Sequence, residues 1–142
     1  MAGFVNRGRE IEISSWNIHG YKSRNIGNKL QDSDFLKEIK NDVVLGLVET
    51  HVHDDIVENL CIPGFELLSF KNRPLNKNSK TSSGGVAFFV KDSVSRFITK
   101  VDNDNKDSLW LKLKKDQLGV HEDIFIGLIY ISPPVYKIFR KR

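Results

Sequence analysis

The stretch Asn41-Asp42-Val43-Val44-Leu45-Gly46-Leu47-Val48-Glu49 decides the fold. Six uncharged residues run without a break and end in a carboxylate. The length and β-branching predict a strand buried on both faces rather than a helix. Upstream, Glu10-Ile11-Glu12-Ile13-Ser14-Ser15-Trp16-Asn17-Ile18 alternates, which predicts a strand with one covered face. Between them, Phe35, Leu36 and Ile39 fall at helical spacing, with Ser33 or Asp34 as the expected cap and Asn41-Asp42 as the stop. A strand, a helix and a buried strand in this order predict a β–α–β unit with parallel pairing.

The rest of the chain reads mainly as strands. Pro63-Gly64 marks a turn, and strands are expected at 65–70, 86–90, 96–101, 109–113 and 123–131. Residues 20–27 and 72–85 read as polar loops. Asp102 to Asp107 is a turn that lacks the Gly and Glu offsets of an EF-hand. Pro133-Pro134 ends the last strand. The expected class is α/β, with a flexible segment over 1–9, a folded domain over 10–136 and a basic tail over 137–142.

Composition narrows the function classes. The 142 residues fit one domain, 39% hydrophobic and 28% charged. No run of eighteen apolar residues predicts a spanning helix, and the first ten residues lack the apolar stretch of a signal peptide. A single cysteine, Cys61, cannot form an internal disulfide, which fits a reducing, intracellular compartment; its apolar neighbours predict a buried, inert thiol. The net charge is +4, but Lys137, Arg140, Lys141 and Arg142 carry the excess. Residues 1–136 hold 18 basic and 18 acidic side chains. Lys71, Arg73, Lys77 and Lys80 form a local cluster with no acid among them, the better candidate for nucleic-acid binding.

Three side chains at strand ends are candidates for chemistry. Asn17 can donate and accept at once, so it can hold a phosphate oxygen and a metal-bound water; a strand-end Asn is also a common turn former. Glu49 closes a buried strand, where a carboxylate needs either solvent or a hard cation such as Mg²⁺. Tyr130 could bond a phosphate through its hydroxyl or simply half-fill the core. His51 and His53 give His-x-His without cysteine partners, which argues against structural zinc. His19 and His51 read equally as supporting groups around Glu49 or as loop histidines without a role. Gly84-Gly85 lacks the Lys-Ser/Thr of a phosphate-binding loop and reads as the flexible start of a strand.

In order, Ser15-Trp16-Asn17-Ile18-His19-Gly20, Val48-Glu49-Thr50-His51, Pro63-Gly64-Phe65, Gly84-Gly85-Val86-Ala87-Phe88-Phe89-Val90 and Tyr130-Ile131-Ser132-Pro133-Pro134 resemble the endonuclease/exonuclease/phosphatase superfamily. Within it they look most like the endonuclease domain of LINE-type (non-LTR) retrotransposons. The resemblance implies a four-layer α/β sandwich and Mg²⁺- or Mn²⁺-dependent cleavage of a DNA phosphodiester. It implies that Asn17 and Glu49 hold the metal, that Asn17, Glu49 and Tyr130 form the catalytic set, and that the setting is nuclear. The family pattern continues with Asp-x-Asn, a further Asp and a terminal Ser-Asp-His. This sequence has no Asp or Glu after Asp123. The expectation is therefore an N-terminal portion of the domain, inactive by itself, with much of the second sheet missing and an apolar sheet face open to self-association. The alternatives are a non-catalytic nucleic-acid-binding remnant, or a fragment of an abasic-site nuclease or of a lipid or inositol phosphate phosphodiesterase.

Overall fold

The computed structural model describes residues 11–53, 59–74 and 84–131. In chain order the strands are β1 (Ile13–Asn17), β2 (Lys22–Ser23), β3 (Gly27–Asn28), β4 (Val44–Val48), β5 (Phe65–Lys71), β6 (Val86–Lys91), β7 (Ile98–Val101), β8 (Ser108–Leu113) and β9 (Ile124–Ile129). One α-helix, α1 (Ser33–Ile39), lies between β3 and β4, and short 3-10 segments cover Lys29–Gln31 and Asp92–Phe97. The β–α–β reading holds: β1 pairs with β4 in parallel, from Ile13 opposite Val44 to Asn17 opposite Val48. Two expectations shift. The cap of α1 is Asp32, whose carboxylate accepts from Phe35 N at 3.1 Å, not Ser33 or Asp34. Residues 20–27 are not wholly loop, because β2 and β3 form a small antiparallel hairpin.

The main sheet has the order β1-β4-β6-β5, and a second sheet has the order β7-β8-β9. Period-two alternation divides the side chains of β4 and β6 between two cores. Leu45, Leu47, Ala87 and Phe89 point to the helix layer and meet Leu30, Ile39, Leu60 and Ile62. Val44, Val86, Phe88 and Val90 point the other way and meet Ile98, Leu109, Leu111, Leu113 and Leu128. Helix layer, main sheet and second sheet thus form three stacked layers, a mixed α/β architecture rich in strands. β4 is buried on both faces as its sequence predicts. Gly46 lets the two sheets approach closely; a Cβ there would stand 2.9 Å from a methyl of Leu128.

The inner faces of the two sheets fill each other over β4, β6 and β8, while Ile13, Ser15 and Asn17 of β1, level with Val44, Gly46 and Val48, stay exposed on that same side. Large exposed apolar side chains within strands lie on the outermost ones, among them Ile13 and Trp16 on β1 and Phe125 and Ile129 on β9. Phe125 and Ile129 alternate with inward-facing Ile126 and Leu128, so they belong to the outer face of the second sheet. The expectation of an open apolar inner face therefore holds at the β1 edge, where Ile13 is 48% exposed, and not at the centre of the sheets. The expectation for Cys61 is corrected. It is exposed, while its neighbours Leu60 and Ile62 are buried. Burial alternates over Leu60-Cys61-Ile62, and the thiol takes the outward position. The segments 1–9 and 137–142, Lys77, Lys80 and Pro133-Pro134 lie outside the described residues.

Phe88 and Phe89 each sit at the middle of a different core. Truncating either to Ala should cost about 3–5 kcal/mol, whereas Phe125→Ser on the outer face should change stability by about 0.5 kcal/mol or less. Urea denaturation of the three variants checks this; equal losses at all three positions would contradict the two-core packing.

Candidate active site

Parallel pairing brings the C-terminal ends of β1 and β4 to the same rim, so Asn17 and Glu49 become neighbours. The rim is stitched by main-chain bonds: Ile18 N to Val48 O at 3.1 Å, Gly20 N to Glu49 O at 2.7 Å and Tyr21 N to Thr50 O at 3.1 Å. Lys29 fixes the β1 side of it, donating to the carbonyl of Ile18 at 2.6 Å and of His19 at 3.3 Å. On the other side, Thr50 N reaches Gly85 O at 3.3 Å and His51 N reaches Gly84 O at 2.9 Å. Gly84 and Gly85 have φ of +77° and +94°, and a Cβ on Gly85 would overlap the Thr50 hydroxyl. The Gly-Gly pair therefore does more than open a strand. It lets the turn that carries Glu49 press against the start of β6.

Three non-glycine residues of this rim, His19, Glu49 and His51, have φ between +49° and +56°. That backbone turns the Glu49 side chain out of the strand's alternation and toward the second sheet. There Tyr130, just past the end of β9, donates from its hydroxyl to Glu49 Oε1 at 2.6 Å. His19 Nδ1 lies 2.8 Å from Glu49 Oε2. The Asn17 Oδ1 accepts from His19 N at 3.1 Å, and the Asn17 side chain stands close enough to Glu49 to help lower its pKa. So the structure brings together all three catalytic candidates, Asn17, Glu49 and Tyr130, from residues up to 113 positions apart.

The electrostatics follow from these contacts. The Tyr130 hydroxyl, then the Asn17 amide and the charges of His19 and His51, hold the Glu49 carboxyl below its ordinary range, against an opposing push from burial. Burial lowers His51 below the usual imidazole range; Glu49 pulls it back up, while His19 and Lys29 push it down. The His19 contact promotes one of the two loop histidines to a direct partner of Glu49. The sequence raised that role without deciding it.

The basic cluster is placed differently. Lys71 ends β5 and points at the loop before β8, donating to Asn103 O at 2.9 Å, Asn103 Oδ1 at 3.0 Å and Asn105 O at 2.6 Å. Arg73 forms an ion pair with Asp107. Both cations are thus engaged within the chain, apart from the Asn17–Glu49–Tyr130 group. Sequence reading gave no hint of the Arg73–Asp107 pair. Its one signal is that Asp107 closes a loop facing an otherwise acid-free cluster.

No protein-family model and no curated protein matches this sequence. Among solved structures the result is different. The chain shares its fold with an AP endonuclease from Leishmania major. The TM-score is 0.57 at 17% identity, over 86% of this chain and 40% of that one. The chain spans two-fifths of that enzyme's length. At this identity the likeness establishes the α/β fold, in agreement with the expected sandwich.

A carboxyl whose folded value is depressed favours the native state most when ionised. Its contribution is present above the unfolded value, near pH 4.5, and is lost as the pH falls through the folded value. Glu49→Gln should remove that acid-sensitive part. Stability measured from pH 6 down to pH ~3 should fall less steeply in the variant than in the parent. Parallel curves would show that Glu49 gains nothing from Tyr130, Asn17 and His19.

Proposed function

We propose that this chain forms part of a metal-dependent phosphodiesterase of the endonuclease/exonuclease/phosphatase kind, derived from a LINE-type retrotransposon endonuclease and directed at DNA. The observation that carries the reading is the 2.6 Å hydrogen bond between Tyr130 and Glu49. It joins two residues singled out independently in the sequence, from different sheets, beside a third, Asn17. A fold shared with an AP endonuclease supports the nuclease class.

The donor set fits a hard cation. Mg²⁺ commonly takes one or two carboxylates and leaves its other positions to water and phosphate oxygens. Glu49, its carboxyl held below the ordinary range first by the Tyr130 hydroxyl, and the Asn17 amide would hold it. When bound, Mg²⁺ or Mn²⁺ would neutralise phosphate charge and stabilise the departing oxygen. Tyr130 orients Glu49, and once the carboxylate holds a metal the single Tyr130 hydroxyl proton would be available to a phosphate oxygen. His19 meets the other carboxylate oxygen, and Asn17 Oδ1 holds the His19 backbone. His19, with a side chain 75% exposed, is available to a substrate approaching the rim.

Among the described residues no group of three or more His, Cys, Asp or Glu converges as a metal site. Nor does any described acidic side chain stand opposite Glu49 to activate water. Loss of such a base costs about 10²–10⁴ in rate. The 142-residue chain by itself should therefore bind Mn²⁺ weakly and leave supercoiled plasmid intact in Mg²⁺. Electron paramagnetic resonance of Mn²⁺ and a plasmid-nicking gel check the two halves of this expectation. Robust nicking that vanishes in Glu49→Ala would overturn the inactivity. Mn²⁺ binding that Glu49→Ala leaves unchanged would overturn the site.

Self-association belongs to the same reading. Phe125 and Ile129 expose an apolar face on an outermost strand that carries no charge between Ile124 and Ile129. Phe125→Lys with Ile129→Lys should shift the sedimentation profile toward monomer; an unchanged profile would remove this face as the contact.

A further inference from the structure

Arg73 and its partner Asp107 are better placed than Lys71 to act on the site. Lys71 and Arg73 are two residues apart in extended chain, so they face the same way, toward the loop from Asn103 to Asp107. Their targets differ. Lys71 ties down Asn103 and Asn105, and Asn105 Oδ1 in turn accepts from Asp107 N at 2.8 Å. Arg73 takes the Asp107 carboxylate itself. The next contact outward from Asp107 is the site: Tyr130 N donates to Asp107 O at 2.9 Å.

The other end of Arg73 also leads to the site. Its side chain lies over Gly84, where a Cβ would stand 2.8 Å from Nε and 3.0 Å from Cδ. The Nε is buried and has no hydrogen-bond partner among the described residues, so Gly84 holds it by close packing. Gly84 O accepts from His51 N, two residues after Glu49. A continuous path of direct contacts therefore runs from the Tyr130 backbone through Asp107, Arg73 and Gly84 to the turn that carries Glu49. It lies alongside the Tyr130–Glu49 hydrogen bond and joins the same two rims.

We propose that the Arg73–Asp107 ion pair is a strut that sets the spacing between Glu49 and Tyr130, which makes both positioning residues rather than DNA contacts. The inference rests on the reading of Glu49 and Tyr130 as site residues. Both side chains are about one-fifth exposed (22% and 21%), so the pair is shielded enough to hold one geometry. An Arg in a phosphate-binding role would leave its guanidinium to solvent. Here it is committed to a carboxylate inside the fold.

The test uses the full chain labelled at tyrosine Cζ and followed by NMR, with Tyr130→Phe to assign the Tyr130 signal. Glu49→Gln calibrates the shift that accompanies a weakened Tyr130–Glu49 bond. Arg73→Gln, Asp107→Asn and the double variant, which leaves neither charge unpaired, should each move the signal toward the Glu49→Gln position. The double should move it no further than the larger single. Leu36→Ala, a destabilising change in the helix layer, should leave it in place. If the signal stays put in the strut variants but moves in Glu49→Gln, the strut is refuted and the site stands. If it tracks loss of stability in every variant, including Leu36→Ala, the pair is only structural and the proposal falls. If Glu49→Gln itself leaves the signal unmoved, the Glu49–Tyr130 pairing fails, and the strut with it.

Discussion

Burying β4 on both faces leaves its polar ending nowhere to go but the rim. Within the strand, Val44, Leu45 and Leu47 are fully buried, and neither core offers a partner to a charge. An unpaired carboxylate one position earlier would be expelled from water at a cost of several kcal/mol. At Glu49 the chain leaves the sheet, turns into left-handed backbone, and finds donors from two other strand ends. The parallel partner β1 delivers Asn17 and His19 to the same rim, and the second sheet delivers Tyr130. The inter-sheet core of Phe88, Leu111 and Leu128 joins the two sheets beneath these rims.

Much of this was legible in the sequence because it follows from local patterns. The uninterrupted run at 43–48 and the helical spacing of Phe35, Leu36 and Ile39 announced the β–α–β unit. The strand ends announced Asn17, Glu49 and Tyr130. Pairings between distant loops were not legible. Nothing in the periodicity says that Asp107 will meet Arg73, or that His19 rather than His51 will touch Glu49. Those contacts depend on the relative placement of two sheets. The helix cap moved by one residue for a local reason: Asp32 has extended backbone and can reach back to Phe35 N, whereas Ser33 and Asp34 are already in the helix.

The basic cluster shows how composition misleads when its partners lie far away. Lys71 and Arg73 look free in the sequence because no acid lies between residues 71 and 80. In the fold each meets oxygen atoms more than thirty residues away. Carbonyls and an amide hold the Lys71 ammonium, so even a segment without nearby carboxylates can consume a positive charge. A count of charges along a chain measures an electrostatic footprint only after such internal commitments are removed.

The left-handed backbone at His19, Glu49 and His51 has a thermodynamic meaning of its own. For a residue with a Cβ, this conformation costs about 1–2 kcal/mol. Three such residues on one rim draw on a margin that totals only about 5–15 kcal/mol for a whole domain. Glycine or asparagine would relieve the strain at any of the three positions. A chain shaped for robustness alone would carry them there. This one keeps two imidazoles and a carboxylate in left-handed backbone, which on the proposed reading is a trade of durability for chemistry written into three torsion angles.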